Sequence, residues 1–328
     1  MIIGIDIGGA NTKIASSDGT FVESHYLPLW TGSNLNSLLK DLKRRVSPIA
    51  VGVVMTGELS DCFKSKEEGI SYIFETVKDT FPGAKFLNTD GSFEDDIKEN
   101  PLSFSAANWI ASSNFVGRQE KNALFVDIGS TTTDVIPIIN GRPVAKNTDF
   151  ERLKNSELIY NGVLRTNVAA LLSEVRFKDS ASCRTSSELF AITADAYMVL
   201  GDISSDCYSC EPPDWYAYEE AEGKDRNSAM NRLARVVCCD LLELGEENVK
   251  MITMQVKEEQ IKVLTSAIEA IRNRSGLKRM VACGLGEFLA KEAASRLDME
   301  CLSISEKYGR DISVTFPAYA VAGLLEEE

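Results

Sequence analysis

The chain of 328 residues carries 49 acidic against 35 basic side chains, a formal net charge of −14. A field of that sign repels nucleic acid and anionic membrane surfaces, and no basic patch larger than Lys40–Arg45 offsets it. A hydrophobic share of 44% with only 9 Pro excludes collagenous, low-complexity and wholly disordered chains, and the length allows about two domains.

At the N-terminus, Met1-Ile2-Ile3-Gly4-Ile5-Asp6 puts an acid where a secretory leader needs basic residues and a long apolar run. No stretch approaches the ~18 apolar residues of a membrane span, and the eight cysteines are scattered through a chain large enough to fold without staples. A reduced, cytoplasmic protein is expected. The first strand leads into Asp6-Ile7-Gly8-Gly9-Ala10-Asn11-Thr12-Lys13, a second strand, and the hairpin dipeptide Asp18-Gly19. His25 is the sole histidine, which argues against a His-ligated metal or a Ser-His-Asp system and favours a structural role for it.

Further along, Ile49–Met55 and Lys85–Leu87 read as buried strands, and Lys66–Thr80 and Ser103–Phe115 have helical spacing. A strand over Ala123–Ile128 then opens a second copy of the first motif, 121 residues downstream: Asp127-Ile128-Gly129-Ser130-Thr131-Thr132-Thr133-Asp134, followed by the hairpin dipeptide Asn140-Gly141. Helical spacing returns over Glu188–Leu200, Ser228–Leu244 and Glu258–Arg274, and Met280–Cys283 is the last predicted strand. Between them, residues 201–226 hold Cys207, Cys210, Trp215, Tyr216 and Tyr218 among many acids and read as an ordered loop or lid. The final helix is expected over Pro317–Glu328, with Pro317 suited to its first turn.

A repeat of this length is too long for a solenoid and predicts two similar α/β lobes facing one cleft. Residues 1–121 form the first lobe, completed by 312–328, and 122–311 form the second. Each repeated turn is suited to phosphate and magnesium. Glycines let the backbone approach an anion, hydroxyls and consecutive N–H groups donate to it, and a carboxylate at the strand end is the hard oxygen ligand that Mg2+ prefers. Asp6 and Asp127 are the candidate metal ligands. Gly8, Gly9, Asn11, Thr12, Lys13, Gly129, Ser130, Thr131 and Thr132 are the candidate phosphate cradle, with Lys13 as its point charge. Asp134 stands where the first copy has Lys13. The Cys207-x-x-Cys210 pair with adjacent Cys238 and Cys239 is a poor copy of a four-thiolate zinc site, and Cys238 and Cys239 read as buried helix residues.

These two turns resemble the phosphate motifs of the actin, sugar kinase and Hsp70 superfamily. The second is especially similar to the hydantoinase A and oxoprolinase branch. Val281-Ala282-Cys283-Gly284-Leu285-Gly286-Glu287 resembles the superfamily's adenosine motif, which implicates Gly284, Gly286 and Glu287 in cofactor binding. The resemblance implies two ribonuclease-H-like lobes with a cleft between them.

Over nearly the whole chain the sequence is similar to the methanofuran-biosynthesis (aminomethyl)furan synthases of methanogenic archaea, through Ala106-Ala107-Asn108-Trp109, Tyr160–Thr166, Thr193–Tyr197 and Arg232–Arg235. That resemblance implies a transferase that joins a γ-glutamyltyramine phenol to an (aminomethyl)furanmethyl diphosphate and releases pyrophosphate. Mg2+ would serve as cofactor, and the partners would be the small-molecule diphosphate and phenolic amine substrates, with no nucleic acid or membrane. A base is needed for a phenol whose ordinary pKa is ~10, and Asp134 and Asp195 are the candidates. Arg165 suits a diphosphate or a carboxylate, and Trp109 suits the core. Two rival readings remain: an ATP-dependent kinase or hydrolase using 284–287 for the nucleoside, and a nucleotide-gated binding protein.

Overall fold

A computed structural model describes residues 1–32, 34–178, 182–215 and 223–328. Strands β1 (Ile2–Gly8), β2 (Asn11–Ser16), β3 (Val22–Tyr26), β4 (Ala50–Thr56), β5 (Lys85–Leu87) and β6 (Phe93–Glu94) form one sheet in the order 3-2-1-4-5-6. The second sheet contains β7 (Ala123–Ile128), β8 (Thr133–Ile139), β9 (Arg142–Pro143) and β10 (Leu158–Ile159). A separate ribbon pairs β11 (Glu174–Arg176) with β12 (Ser182–Arg184), and the second sheet is completed by β13 (Arg279–Cys283) and β14 (Glu300–Ser303). Its order is 10-8-7-13-14, with β9 also on β8.

The two sheets repeat one plan. β1 is antiparallel to β2 and parallel to β4, which is parallel to β5; β7 is antiparallel to β8 and parallel to β13, which is parallel to β14. Both expected hairpins form. Gly19 has φ +70°, while Asn140 and Gly141 have φ 54° and 79°, the left-handed pair that a tight turn between twisted strands requires.

Strand alternation aims the site. Ile3, Ile5 and Ile7 point to the core beneath helices Leu35–Val46 and Lys66–Thr80, so Gly4, Asp6 and Gly8 point the other way. In β7, Leu124, Val126 and Ile128 enter the second lobe's own core, so Phe125 and Asp127 point away from it. Between the sheets lies a third core of Val54, Leu87, Trp109, Phe125, Val281 and Phe316, carried partly by helices Asn108–Gln119 and Phe316–Glu326. Each fully buried side chain of this size stabilises by about 1.5–3 kcal/mol relative to exposure. The last helix seats on β1 at Gly4, where a Cβ would stand 1.9 Å from the Ala318 carbonyl oxygen. Only glycine permits that approach.

Several helix boundaries differ from the sequence reading. Pro101–Phe104 is a separate 3-10 turn, and the helix after it starts at Asn108. The helix expected from Glu188 starts at Thr193, where the Asp195 side chain reaches back to the Ile192 N–H and closes the first turn. The helix expected over 228–244 stops at Arg235, because Cys238 adopts φ 60°; Cys238 is exposed and Cys239 half-buried, which corrects their placement inside a helix. The helix expected from Glu258 instead begins at Glu246 and runs to Ser275. The last segment is split between Arg310–Val314 and Phe316–Glu326, with Pro317 in the first turn. Of the loop aromatics, Trp215 is exposed, and Tyr216 and Tyr218 lie outside the described residues. Among the described residues no helix is long and apolar enough to cross a membrane.

Candidate active site

At the carboxyl ends of β1 and β7 a cleft of about 410 Å³ opens between the sheets. Gly8, Gly9, Asn11 and Lys13 line it from one side and Gly129, Ser130, Thr131 and Thr132 from the other, with Asp6, Asp127 and Asp134 at its base. The hairpin registers are equivalent: Asp6 sits opposite Lys13, and Asp127 opposite Asp134, so all four side chains share the cleft faces. Asn11 Nδ2 donates to Ser130 Oγ at 3.3 Å and joins the two turns directly. The Ser130 and Thr131 amides donate to no group among the described residues and remain available to an anion.

Asp6 and Asp127 are 4% and 7% exposed. Burial pushes each carboxyl up to about 6, opposed by the Lys13 charge and reinforced by Asp134. Among the described residues Asp6 Oδ1 is buried without a hydrogen-bond partner. Two desolvated carboxylates, one with an orphaned oxygen, beside donors suited to phosphate, fit a magnesium ion that keeps its waters and takes other ligands from substrate. No group of three or more His, Cys, Asp or Glu able to hold a metal occurs among the described residues, so an all-protein cage and a four-thiolate zinc site are both absent there.

Asp134 is committed to an ion pair. Arg152 donates to it through Nη1 and to Asp149 through Nη2 at 2.7 Å, and its guanidinium lies 4.9 Å from the Trp109 ring centroid. Trp109, 2% exposed, is thus both a core residue and the shelf under that guanidinium. Burial pushes the Asp134 carboxyl upward while Arg152 pulls it back.

Asp195 is fully buried, and both its oxygens are engaged. Oδ1 accepts from Arg232 Nε and Nη2 at 2.9 and 2.7 Å and from the Tyr208 hydroxyl at 2.9 Å, and Oδ2 accepts from the Ile192 N–H at 3.0 Å. It does not line the cleft, and its expected role as a phenol base is corrected to that of an anchor inside the second lobe. The Thr12 hydroxyl is also buried, without a partner among the described residues, and off the cleft wall.

The Gly284-Leu285-Gly286-Glu287 turn packs behind Asp127. A Cβ on Gly284 would stand 2.4 Å from Asp127 Oδ1, and one on Gly286 would stand 2.4 Å from Ile128 Cγ2. Glu287 accepts from Ser303, Ser305 and Ser313 hydroxyls and pairs with Lys291 at 3.1 Å. None of the four residues lines the cleft. Gly162 supports the second turn in the same way: a Cβ there would be 2.6 Å from Thr131 N.

The structure adds residues that the sequence reading passed over. Glu58, Ser60 and Trp30 line the first lobe's wall, and Asp149, Arg152 and Tyr160 line the second's. Trp30 meets Arg165 across the cleft, with the guanidinium 4.6 Å from its ring centroid. Thr56-Gly57-Glu58 carries a readable signal, since it is a strand end followed by glycine and an acid. β4 runs beside β1 just as β13 runs beside β7. His25 hydrogen-bonds Glu23 at 2.9 Å on an edge strand, away from the cleft lining.

Residues 50–328 match the family model described as hydantoinase/oxoprolinase. A curated relative from Methanocaldococcus jannaschii, named (4-{4-[2-(gamma-L-glutamylamino)ethyl]phenoxymethyl}furan-2-yl)methanamine synthase, is 37% identical over all of this chain and 98% of its own length. A protein of the same name from Methanococcus vannielii is 37% identical over 64% of this chain and 93% of its own. Among solved structures, nucleotide-free acetone carboxylase aligns with a TM-score of 0.50 and 12% identity over 94% of this chain. The chain spans 51% of that protein, and the likeness is one of fold: two α/β lobes around a cleft.

Proposed function

The chain belongs to the hydantoinase/oxoprolinase family, and we propose that within it the chain is an ether-forming transferase of methanofuran biosynthesis. The phenol oxygen of γ-glutamyltyramine bonds to the methylene carbon of an (aminomethyl)furanmethyl diphosphate. The carbon–oxygen bond to the diphosphate breaks, pyrophosphate leaves with the electron pair, and the phenol proton passes to a base. The observation that carries this reading is the 37% identity to a synthase of that name along the full chain.

The cleft chemistry suits it. Lys13 and the donors of Gly8–Asn11 and Gly129–Thr132 would hold the diphosphate, and their fixed dipoles would stabilise the charge that grows on the leaving oxygen. Magnesium, held by Asp6 and Asp127 through its waters, would supply further positive charge to the same leaving group. Arg165, stacked on Trp30 at the mouth, would take the glutamyl carboxylate of the acceptor, and Tyr160 offers a ring face to an aromatic substrate. We assign the lobes as 1–121 with 312–328, and 122–311. The absence of 284–287 from the cleft wall favours a diphosphate donor over a nucleotide.

Phosphorus NMR of the purified chain with Mg2+ tests the reading. Pyrophosphate and a coupled product of the right mass should appear from furanmethyl diphosphate plus γ-glutamyltyramine. ADP or AMP released from ATP, with no coupling, would replace it by the kinase or hydrolase reading.

A further inference from the structure

Resting on the ether-forming reading, we infer that Glu58 is the catalytic base that takes the phenol proton. Six carboxylates line the cleft: Asp6, Glu58, Asp61, Asp127, Asp134 and Asp149. Asp134 and Asp149 are both held in ion pairs by Arg152, which occupies them with a partner other than substrate. Asp6 and Asp127 face each other's charge and Lys13 at the metal position. Asp61 is exposed to water. Glu58 is 2% exposed and, unlike Asp134 and Asp149, makes no ion pair among the described residues.

Its surroundings hold it in one orientation. The Ser105 hydroxyl donates to Oε1, and Lys66 Nζ donates to that hydroxyl at 3.3 Å. Gly69 packs on the Glu58 backbone so closely that a Cβ would stand 2.3 Å from the Glu58 carbonyl oxygen. Among the described residues Oε2 is left buried with no hydrogen-bond partner, which a substrate hydroxyl would supply. Burial, aided by the Asp149 charge across the cleft, pushes the carboxyl above the ordinary range and so raises its affinity for a proton. In the step, the phenol O–H proton moves to Oε2 as the oxygen–carbon bond forms and the carbon–diphosphate bond breaks. The neutral Glu58 then returns the proton to water as pyrophosphate departs.

The test compares Glu58→Gln and Glu58→Asp with wild type on two acceptors, γ-glutamyltyramine and a ring-fluorinated analogue whose phenol is ionised at assay pH. Glu58→Gln keeps an acceptor for Ser105 and should lose about 10²-fold or more in kcat with the ordinary phenol. With the ionised phenol it should return to within about threefold of wild type, since no proton then has to move. Magnesium pyrophosphate binding, followed by calorimetry, should not change. An equal loss with both acceptors, or no loss with either, overturns the assignment. Should the Gln variant not fold, Glu58→Asp carries the same comparison with a smaller expected difference between the acceptors. A wild-type chain that forms no ether with either phenol overturns the ether-forming reading itself, and the Glu58 assignment with it.

Discussion

Across the hairpin from the cleft carboxylate, the first lobe presents Lys13 and the second presents Asp134. The backbone around the two positions is the same: a central strand, a glycine turn and an antiparallel return, with a parallel neighbour on the other side. The shared strand plan aims Asp6 and Asp127 into one cleft, while the residue opposite each differs in charge. The first lobe leaves its cation facing both carboxylates. The second buries an extra negative charge and answers it with Arg152 from the helix Asp149–Lys154, seated on Trp109. Among the described residues, one side of the cleft thus presents an uncommitted cation to the buried carboxylates, and on the other the added charge is paired internally.

The largest effect should come from the positions the two lobes share. Asp6→Asn and Asp127→Asn should each lower ether formation by about 10³-fold, measured by product mass with the fold checked by circular dichroism. If one of the pair proves dispensable, the equivalence fails. Their titration gives a second reading. Both folded carboxyls lie at about 6, above the ordinary carboxylate value, so the stability they contribute is full in acid and is lost as pH rises through about 6. The melting temperature of the metal-free protein should fall from pH 5 to pH 7, and Mg2+ should raise it at pH 7 but not at pH 5. The double Asn variant should show neither dependence.

Next in size is the charge unique to the second lobe. Arg152→Met leaves Asp134 buried and unpaired and should cost about 3 kcal/mol in denaturant unfolding. Adding Asp134→Leu should recover most of that, because the pair replaced by apolar groups leaves no uncompensated charge. Lys13→Met, the counterpart in the first lobe, should instead spare stability. It should raise the donor KM and lower kcat/KM by about 10²-fold, or about 2.7 kcal/mol. The smallest effect belongs to the bond that ties the turns together: Asn11→Ala should cost about 1 kcal/mol or less in stability.

What could be read from residues alone was whatever is written locally. Asp-Ile-Gly repeated at a spacing of 121, the Asp18-Gly19 and Asn140-Gly141 dipeptides, and the continuous apolar runs of β1 and β7 are all short-range patterns, and the sheets follow them. The failures are long-range. Asp195 sits on a helix with an unremarkable pattern, and only its approach to Arg232, 37 residues away, takes it out of the cleft. Arg152 looks like an ordinary basic residue in a short helix until β8 brings Asp134 to it. The helix Glu246–Ser275 begins twelve residues before the expected Glu258, and Val249, Ile252, Thr253 and Val256 form a buried stripe at helical spacing along that added part. Cys238 carries no marker for the left-handed conformation that ends its helix.

The contact between Gly4 and Ala318 bears on how the molecule is made. On a ribosome the strand Ile2–Gly8 emerges more than 300 residues before the helix that covers it at Gly4. The usual order, in which N-terminal units fold first, cannot complete the first lobe. Its isoleucine strand must be held in a partly covered state while the second lobe is translated. The joining of residues 316–326 to β1 is a closure of very high sequence separation, which slows folding and leaves apolar surface uncovered until it is made.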